Sequence, residues 1–262
     1  MIDEKTVVLA TLALNGLALC ALERMVPRSE EGAADRRRHL PPNLALTLLL
    51  VLLNAGFDRA VAAAGVRPGS GGFGLLAGAS LPGWAKLLAV IVTLDGLAYL
   101  AHVLLHTLPP AWRIHRVHHS DAHVDVSTAF RQHPLETLGR SSFQLLGALI
   151  LGASSRSVAV YLALSALNAQ LEHADVSLPP RLERACRVLF TTPAMHRVHH
   201  SRRAAETDTN YSNIFSVWDR LFGTYRAPRP GERIACGLDG CDAPDRQRTA
   251  GLLALPFGPV RR

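Results

Sequence analysis

Long stretches without a charged residue most limit how this chain can fold. Thr6 to Leu22 carries no Asp, Glu, Lys or Arg, and the apolar character continues to Val26 past Glu23 and Arg24. A second block runs from Leu44 to Val66 with Asp58 and Arg59 near its end, and a third from Trp84 to His106 holds only Lys86 and Asp95. At a rise of about 1.5 Å per residue, about 20 such residues cross a hydrocarbon core, so each block reads as a transmembrane helix. Phe143 to Leu171 is two uncharged runs of 13 and 15 residues separated by Arg156. Each run is short for a full crossing, and a helical hairpin is the expectation.

Composition agrees: 48% of the 262 residues are hydrophobic and 19% charged, against about 25% charged in a soluble domain. Disorder is excluded. Cys20, Cys186, Cys236 and Cys241 are too few and too scattered for a disulfide framework, which points to a reducing compartment. The first block reads as a retained helix, because Asp3 and Glu4 precede it where a cleaved signal peptide carries positive charge.

The net charge of +7 suits either nucleic acid or an anionic membrane face, and the apolar blocks favour the membrane. Its distribution sets an orientation: Arg28, Arg36, Arg37 and Arg38 fall in the stretch 27–42, whereas 67–83 carries only Arg67. The positive-inside rule then places the first stretch in the cytoplasm and the second outside. The third helix returns to the cytoplasm, where Arg113, Arg116, Arg131 and Arg140 follow. Within the outer stretch, Gly69-Ser70-Gly71-Gly72-Phe73-Gly74 fits a nucleotide-binding glycine pattern. No strand precedes it and no βαβ unit surrounds it, so it is read as a flexible turn.

Eleven of the 12 histidines lie between His102 and His200. They form His102-x-x-x-His106, His115-x-x-His118-His119 and His196-x-x-His199-His200, and the string His-Arg-Val-His-His-Ser occurs twice, at 115–120 and 196–201. Residues three and four apart share a helix face, so each cluster presents imidazoles side by side. Any one histidine is more often a surface or satisfied core residue. Eight at this spacing are not, because crowded imidazolium ions repel and neutral rings packed together leave lone pairs unsatisfied. Metal coordination resolves both problems. A zinc ion takes three or four protein ligands, so eight rings overfill one ion and two metals follow. Each HxxHH triplet then sends one ring to one ion and two to the other. His133 and His173 are candidate ninth and tenth ligands; His39 and His123 are left out.

Imidazole suits zinc, copper, iron and nickel alike. None of the clusters contains the carboxylate base of an H-E-x-x-H zinc hydrolase. Asp95 lies seven residues before His102, on its helical face, and reads as an outer partner orienting a ligand. Asp121, Glu136, Glu172 and Asp219 flank the clusters, where the same role competes with that of solvated charge.

With HxxxH, HxxHH and HxxHH in that order on helices, the chain resembles the fatty acid hydroxylase/sterol desaturase superfamily. The resemblance covers roughly residues 85–226, including Asp95-Gly96-Leu97-Ala98-Tyr99, His118-His119-Ser120-Asp121, Phe130-Arg131-Gln132-His133-Pro134-Leu135-Glu136 and Asn210-Tyr211-Ser212-Asn213 through Trp218-Asp219-Arg220-Leu221-Phe222-Gly223-Thr224. It implies an all-α polytopic membrane enzyme whose cytoplasmic helical cap carries two non-haem iron ions. Such an enzyme uses O2 and two external electrons to hydroxylate or desaturate an unactivated C–H bond of a lipid from the bilayer. The implied ligands are His102, His106, His115, His118, His119, His196, His199 and His200, with His173 and His133 added. Val103 departs from the basic residue common after the first histidine.

No C-x-x-C-H haem attachment is present, and electrons are expected from a ferredoxin or a cytochrome b5-like protein with its reductase. The rival classes are a membrane metal-transport or storage protein and a di-histidine haem cytochrome. The chain divides into N-terminal transmembrane helices and loops (1–83), a catalytic region (84–226) and a C-terminal cytoplasmic extension (227–262), in which Leu252 to Phe257 is expected to lie back on the domain or on the membrane.

Overall fold

The computed structural model describes residues 4–28, 33–66, 69, 74–229 and 234–259. These residues fold into helices joined by short turns; among them there is no β-strand, and extended pairing is limited to isolated bridges such as Phe190 with Phe215. Among the described residues, three helices are long and apolar enough to cross a membrane: α1 (Glu4–Met25), α2 (Ala33–Ala63) and α3 (Gly83–Thr107). They correspond to the three apolar blocks, and the chain is a helical membrane protein.

α2 starts earlier than its apolar block, at Ala33, and runs through Pro41 and Pro42. Two prolines remove two helical N–H donors, but tertiary hydrogen bonds hold this end. The Asn43 amide donates to Asp121 (3.0 Å) and Ser127 (2.9 Å), while His39 lies 3.3 Å from both Asp121 and Asp125. Arg36, Arg37 and Arg38 therefore sit on a helix rather than in a loop, and Arg36 pairs with the buried Glu23 at 3.2 Å.

The segment after the third span turns back on itself as expected, as α5 (Pro134–Leu151) and α6 (Ser155–His173), but the two helices pack on α3 rather than on each other. Gly152 closes α5 in the left-handed region at φ 65°, and the Ser154 hydroxyl caps α6 by accepting from the Ser157 N–H. At this tip a Cβ on Gly74 would stand 2.3 Å from the Gly152 nitrogen. The last glycine of the string thus permits close packing, with Leu75 and Leu76 donating to the carbonyls of Ile150 and Leu151. Ser70 to Phe73, the middle of that string, lie outside the described residues, as does Arg67. Val90 and Leu94 of α3, Ala148 and Leu151 of α5, Tyr161 of α6 and Ile214 form one apolar core. α3 is thereby the axis against which the hairpin packs.

The cap is built on α4 (Pro109–His119), α7 (Pro180–Cys186), α8 (Pro193–His199), α9 (Ala204–Thr207), α10 (Val217–Leu221) and α11 (Thr249–Ala254). The C-terminal segment lies on the domain. Leu252 and Leu255 are buried with Leu46 of α2 and with Trp112 and Val117 of α4. Arg113 donates to the carbonyls of Pro256 (3.0 Å) and Gly258 (2.9 Å), and Arg116 to those of Leu255 and Pro259.

Candidate metal centre

α3 carries His102 and His106 on its last turns, pointing the same way. Leu108 is extended, and Pro109 and Pro110 start α4 at once, which turns His115, His118 and His119 back over α3. α8 repeats the device: the Thr192 hydroxyl caps it, Pro193 begins it, and His196, His199 and His200 follow. His173 ends α6.

These rings converge into two adjoining groups. His102, His106, His115, His119 and His199 form one; His118, His173, His196 and His200 form the other, with the ligand atoms of each group within 4.8 Å of one another. The first triplet sends two rings to the group of five and one to the group of four, and the second triplet does the reverse. All nine histidines are buried, His102 being the most exposed at 8%.

Hydrogen bonds fix the tautomers. Nδ1 of His102 donates to the Tyr211 carbonyl (2.8 Å), Nδ1 of His199 to that of Thr209 (2.8 Å) and Nδ1 of His173 to that of Ala169 (2.7 Å). Nδ1 of His115 faces the Glu136 carboxylate at 2.9 Å, and Nδ1 of His106 faces Asp208 at 3.2 Å. A ring protonated on Nδ1 bears a bare lone pair on Nε2. Yet Nε2 of His102 lies 3.1 Å from Nε2 of His115, and His173 Nε2 lies 3.1 Å from His118 Nε2 and 3.0 Å from His196 Nε2. Both nitrogens of His119 and Nε2 of His199 are buried without a hydrogen-bond partner. Lone pairs aimed at one another in a dry interior are unfavourable unless a cation lies between them. The donor set fits metal ions.

Burial, reinforced by neighbouring rings, pushes His118, His119, His196 and His200 well below the usual imidazole range, and burial pushes His199 down to about 3. The rings are neutral and ready to ligate. Burial would raise the Glu136 carboxyl, but His115 outweighs it and holds the group below its usual range as a carboxylate.

The other sequence candidates are placed differently. His133 is outside both groups: it caps α5 by accepting from the Leu135 N–H (3.2 Å), and its Nε2 donates to the Leu253 carbonyl (3.3 Å). Its neighbour Pro134 starts a helix that leads away from the cluster. Asp95 reaches no histidine; its carboxylate accepts from the Ile214 N–H (3.0 Å), the Phe215 N–H (3.1 Å) and the Trp218 indole (2.8 Å). Asp219 accepts from the N–H groups of Tyr211 and Ser212 and so holds the turn whose Tyr211 carbonyl receives His102. Asp121 faces His39, Asn43 and Thr128 rather than the cluster; burial raises its carboxyl, but Arg131 and His39 outweigh this and keep it ionised. Of these carboxylates, Glu136 meets a cluster ring directly, and Glu172 approaches His173 and His196 at 3.9 Å.

Asp208 was not among the sequence candidates, because 102 positions separate it from His106. The Tyr211 and Thr209 carbonyls are equally invisible to residue type. Asn210, at φ 56°, makes this turn possible. Asparagine tolerates the left-handed region, and its side chain ties Met195 to Arg226 by donating to both carbonyls.

Fold and site define a helical membrane protein built around a buried double histidine cluster. Residues 87–224, more than half of the chain, match the fatty acid hydroxylase family, and the chain belongs to that family. It is 32% identical over 157 residues to ornithine lipid hydroxylase OlsE of Rhizobium tropici, covering 59% of this chain and 45% of that protein. It is 33% identical over 142 residues to human alkylglycerol monooxygenase, covering 53% of this chain and 30% of that protein. Rat cholesterol 25-hydroxylase is 23% identical over 170 residues, 64% of this chain and 56% of that protein. The chain thus spans about half, or less, of the length of these relatives. No solved structure matches it.

Proposed function

We propose that the chain is an O2-dependent lipid hydroxylase of the membrane, working with two non-haem iron ions and electrons from an external donor. The observation that carries this reading is the facing of the bare Nε2 lone pairs of His102 and His115 at 3.1 Å, inside adjoining groups of five and four buried histidines. The relatives named above are hydroxylases and monooxygenases of lipids. Two irons would be held by His102, His106, His115, His119 and His199, and by His118, His173, His196 and His200. Once bound, they would supply the activation of O2 that inserts one oxygen atom into a C–H bond, the other leaving as water with two electrons and two protons.

The chain's own groups prepare that chemistry. Glu136, Asp208 and the carbonyls of Ala169, Thr209 and Tyr211 hold ring protons on Nδ1, so Nε2 is the ligand atom at five positions. Trp112, buried, stands tilted 5.0 Å from His106 and 5.4 Å from His119 and walls one side against water. A dry site keeps a strong oxidant from the solvent. Neutral imidazole ligands would leave the charge of bound ferrous ions uncompensated and so would favour the reduced state.

A haem takes two axial histidines, whereas here five and four histidine ligand atoms converge, each group within 4.8 Å, which suits a metal ion held by imidazoles alone. A transport path would string ligands along the membrane normal, whereas these gather at one end of α3. We place that end in the cytoplasm by the arginine bias, and we assign electron supply to a ferredoxin or a cytochrome b5-like protein with its reductase. Cells with and without the gene, grown under isotopically labelled dioxygen, are compared by mass spectrometry of total lipid. A lipid bearing one labelled oxygen in the gene-bearing cells alone is expected; identical labelled lipids in both would defeat the proposal.

A further inference from the structure

An apolar surface outside the three long helices is left largely uncovered by the described residues. Val188 (67% exposed), Leu189 and Phe190 follow α7, and Val217, Leu221 (66%) and Phe222 (61%) lie on and after α10. The two segments are one body. Ser216 N–H donates to the Leu189 carbonyl, Thr191 N–H to the Ile214 carbonyl, and the Phe190 and Phe215 rings stand 6.0 Å apart.

The body is fastened to the middle of α3. Asp95 accepts from the Ile214 and Phe215 N–H groups and from the Trp218 indole. The indole lies over Gly96, where a Cβ would stand 3.1 Å from it. Phe222 stacks on Tyr99 at 5.4 Å, and the Tyr99 hydroxyl meets Thr224 at 2.9 Å. α3 has 25 residues, Gly83 to Thr107, and a crossing uses about 20. Any such stretch taken from α3 includes Asp95, Gly96 and Tyr99. Whatever packs on those three residues is at bilayer depth.

Irregular backbone is tolerated at that depth only when its polar groups are satisfied by protein, and here they are. Besides the bonds to Asp95, the Arg220 guanidinium donates to the Ser216 and Arg187 carbonyls (3.0 and 2.8 Å) and covers the Tyr225 ring at 4.0 Å. Arg181 and Arg184, exposed on α7, supply cations for anionic headgroups. An apolar face with such a cationic flank is the pattern of an element seated in a membrane interface.

We propose that residues 187–190 and 214–222 form a wedge inserted into the lipid leaflet on the metal side, with the hydrocarbon of the bilayer covering Val188, Leu189, Phe190, Val217, Leu221 and Phe222. The test introduces the photo-crosslinker p-benzoylphenylalanine into the full chain at Val188 or Leu221, in nanodiscs of phosphatidylcholine and phosphatidylglycerol. Leu52, exposed on α2, is the membrane control and Asp239, exposed in the C-terminal segment, the aqueous one. Each variant is first shown to melt as the parent does. Irradiation is expected to give lipid adducts at Val188 and Leu221 in yields comparable to Leu52, with none above background at Asp239. Adducts at Leu52 but not at Val188 and Leu221 would overturn the proposal. Cross-links at those two positions to a second copy of the chain in place of lipid would overturn it as well.

Discussion

The Glu136 carboxylate receives the Nδ1 proton of His115 at 2.9 Å, and both groups are buried, at 2% exposure each. This contact ties the start of α5 to the histidine cluster, because it fixes the tautomer that aims His115 Nε2 inward. Outer partners of metal-bound histidines typically contribute about 10- to 100-fold in affinity. Glu136→Ala is therefore expected to weaken iron retention by about that factor against a competing chelator, with Glu136→Gln intermediate, since its amide oxygen still accepts. Unchanged retention in both variants would show that His115 is oriented by packing alone.

A second prediction concerns Arg131, which is fully buried and makes four bonds: to the Val117 carbonyl (3.0 Å), Asn43 (2.8 Å), Ser120 (2.8 Å) and Gln247 (2.7 Å). It joins α2, the end of α4 and the C-terminal segment, with Asp121 3.9 Å away. Removing one partner of a buried charged network costs about 3–5 kcal/mol. Arg131→Ala is expected to lower the melting temperature of the iron-loaded protein, and Arg131→Lys to recover little, because an ammonium lacks the guanidinium fork. Full recovery by lysine would show that charge alone matters there.

A third follows from Asp95. Asp95→Ala leaves the N–H groups of Ile214, Phe215 and Trp218 without their acceptor, at about 1–3 kcal/mol for each buried group. The variant is expected to melt earlier and to lose iron more readily, since the same turn presents the Tyr211 carbonyl to His102. A direct role for Asp95 at the metal predicts something else: altered iron spectroscopy with an unchanged melting temperature.

A fourth concerns the C-terminal segment. Leu252 is fully buried against Leu46, Trp112 and Val117, and Leu252→Ala is expected to cost about 2–5 kcal/mol. A melting temperature equal to the parent's would show that residues 249–259 merely rest on the cap.

The histidine geometry was legible in the sequence because helical spacing alone decides which rings share a face. His102 and His106, and the members of each HxxHH triplet, need no tertiary knowledge. His173 was legible only as a histidine near the others in sequence, and His133 equally so; packing separates them, bringing one into the cluster and leaving the other as a helix cap. Asp95 illustrates a different limit. A carboxylate in an apolar helix signals a partner, and residue type cannot say whether that partner is an imidazole or three N–H groups arriving from 119 and more positions away. The early start of α2 was hidden by Pro41 and Pro42, whose local cost the bonds to Asp121 and Ser127 outweigh. The apolar residues Leu252 and Leu255 made the docking of 249–259 legible, whereas the arginine-to-carbonyl bonds that seat it on α4 leave no trace in hydropathy.

The central claim is a two-iron centre, and metal analysis of the purified full chain tests it most directly. With all nine histidines intact, elemental analysis is predicted to give about two irons per chain, and His118→Ala to lower it to about one, since that ring serves only the group of four. A stoichiometry of one or less in the unaltered, iron-replete chain, or a haem absorption band in place of non-haem iron, would contradict it.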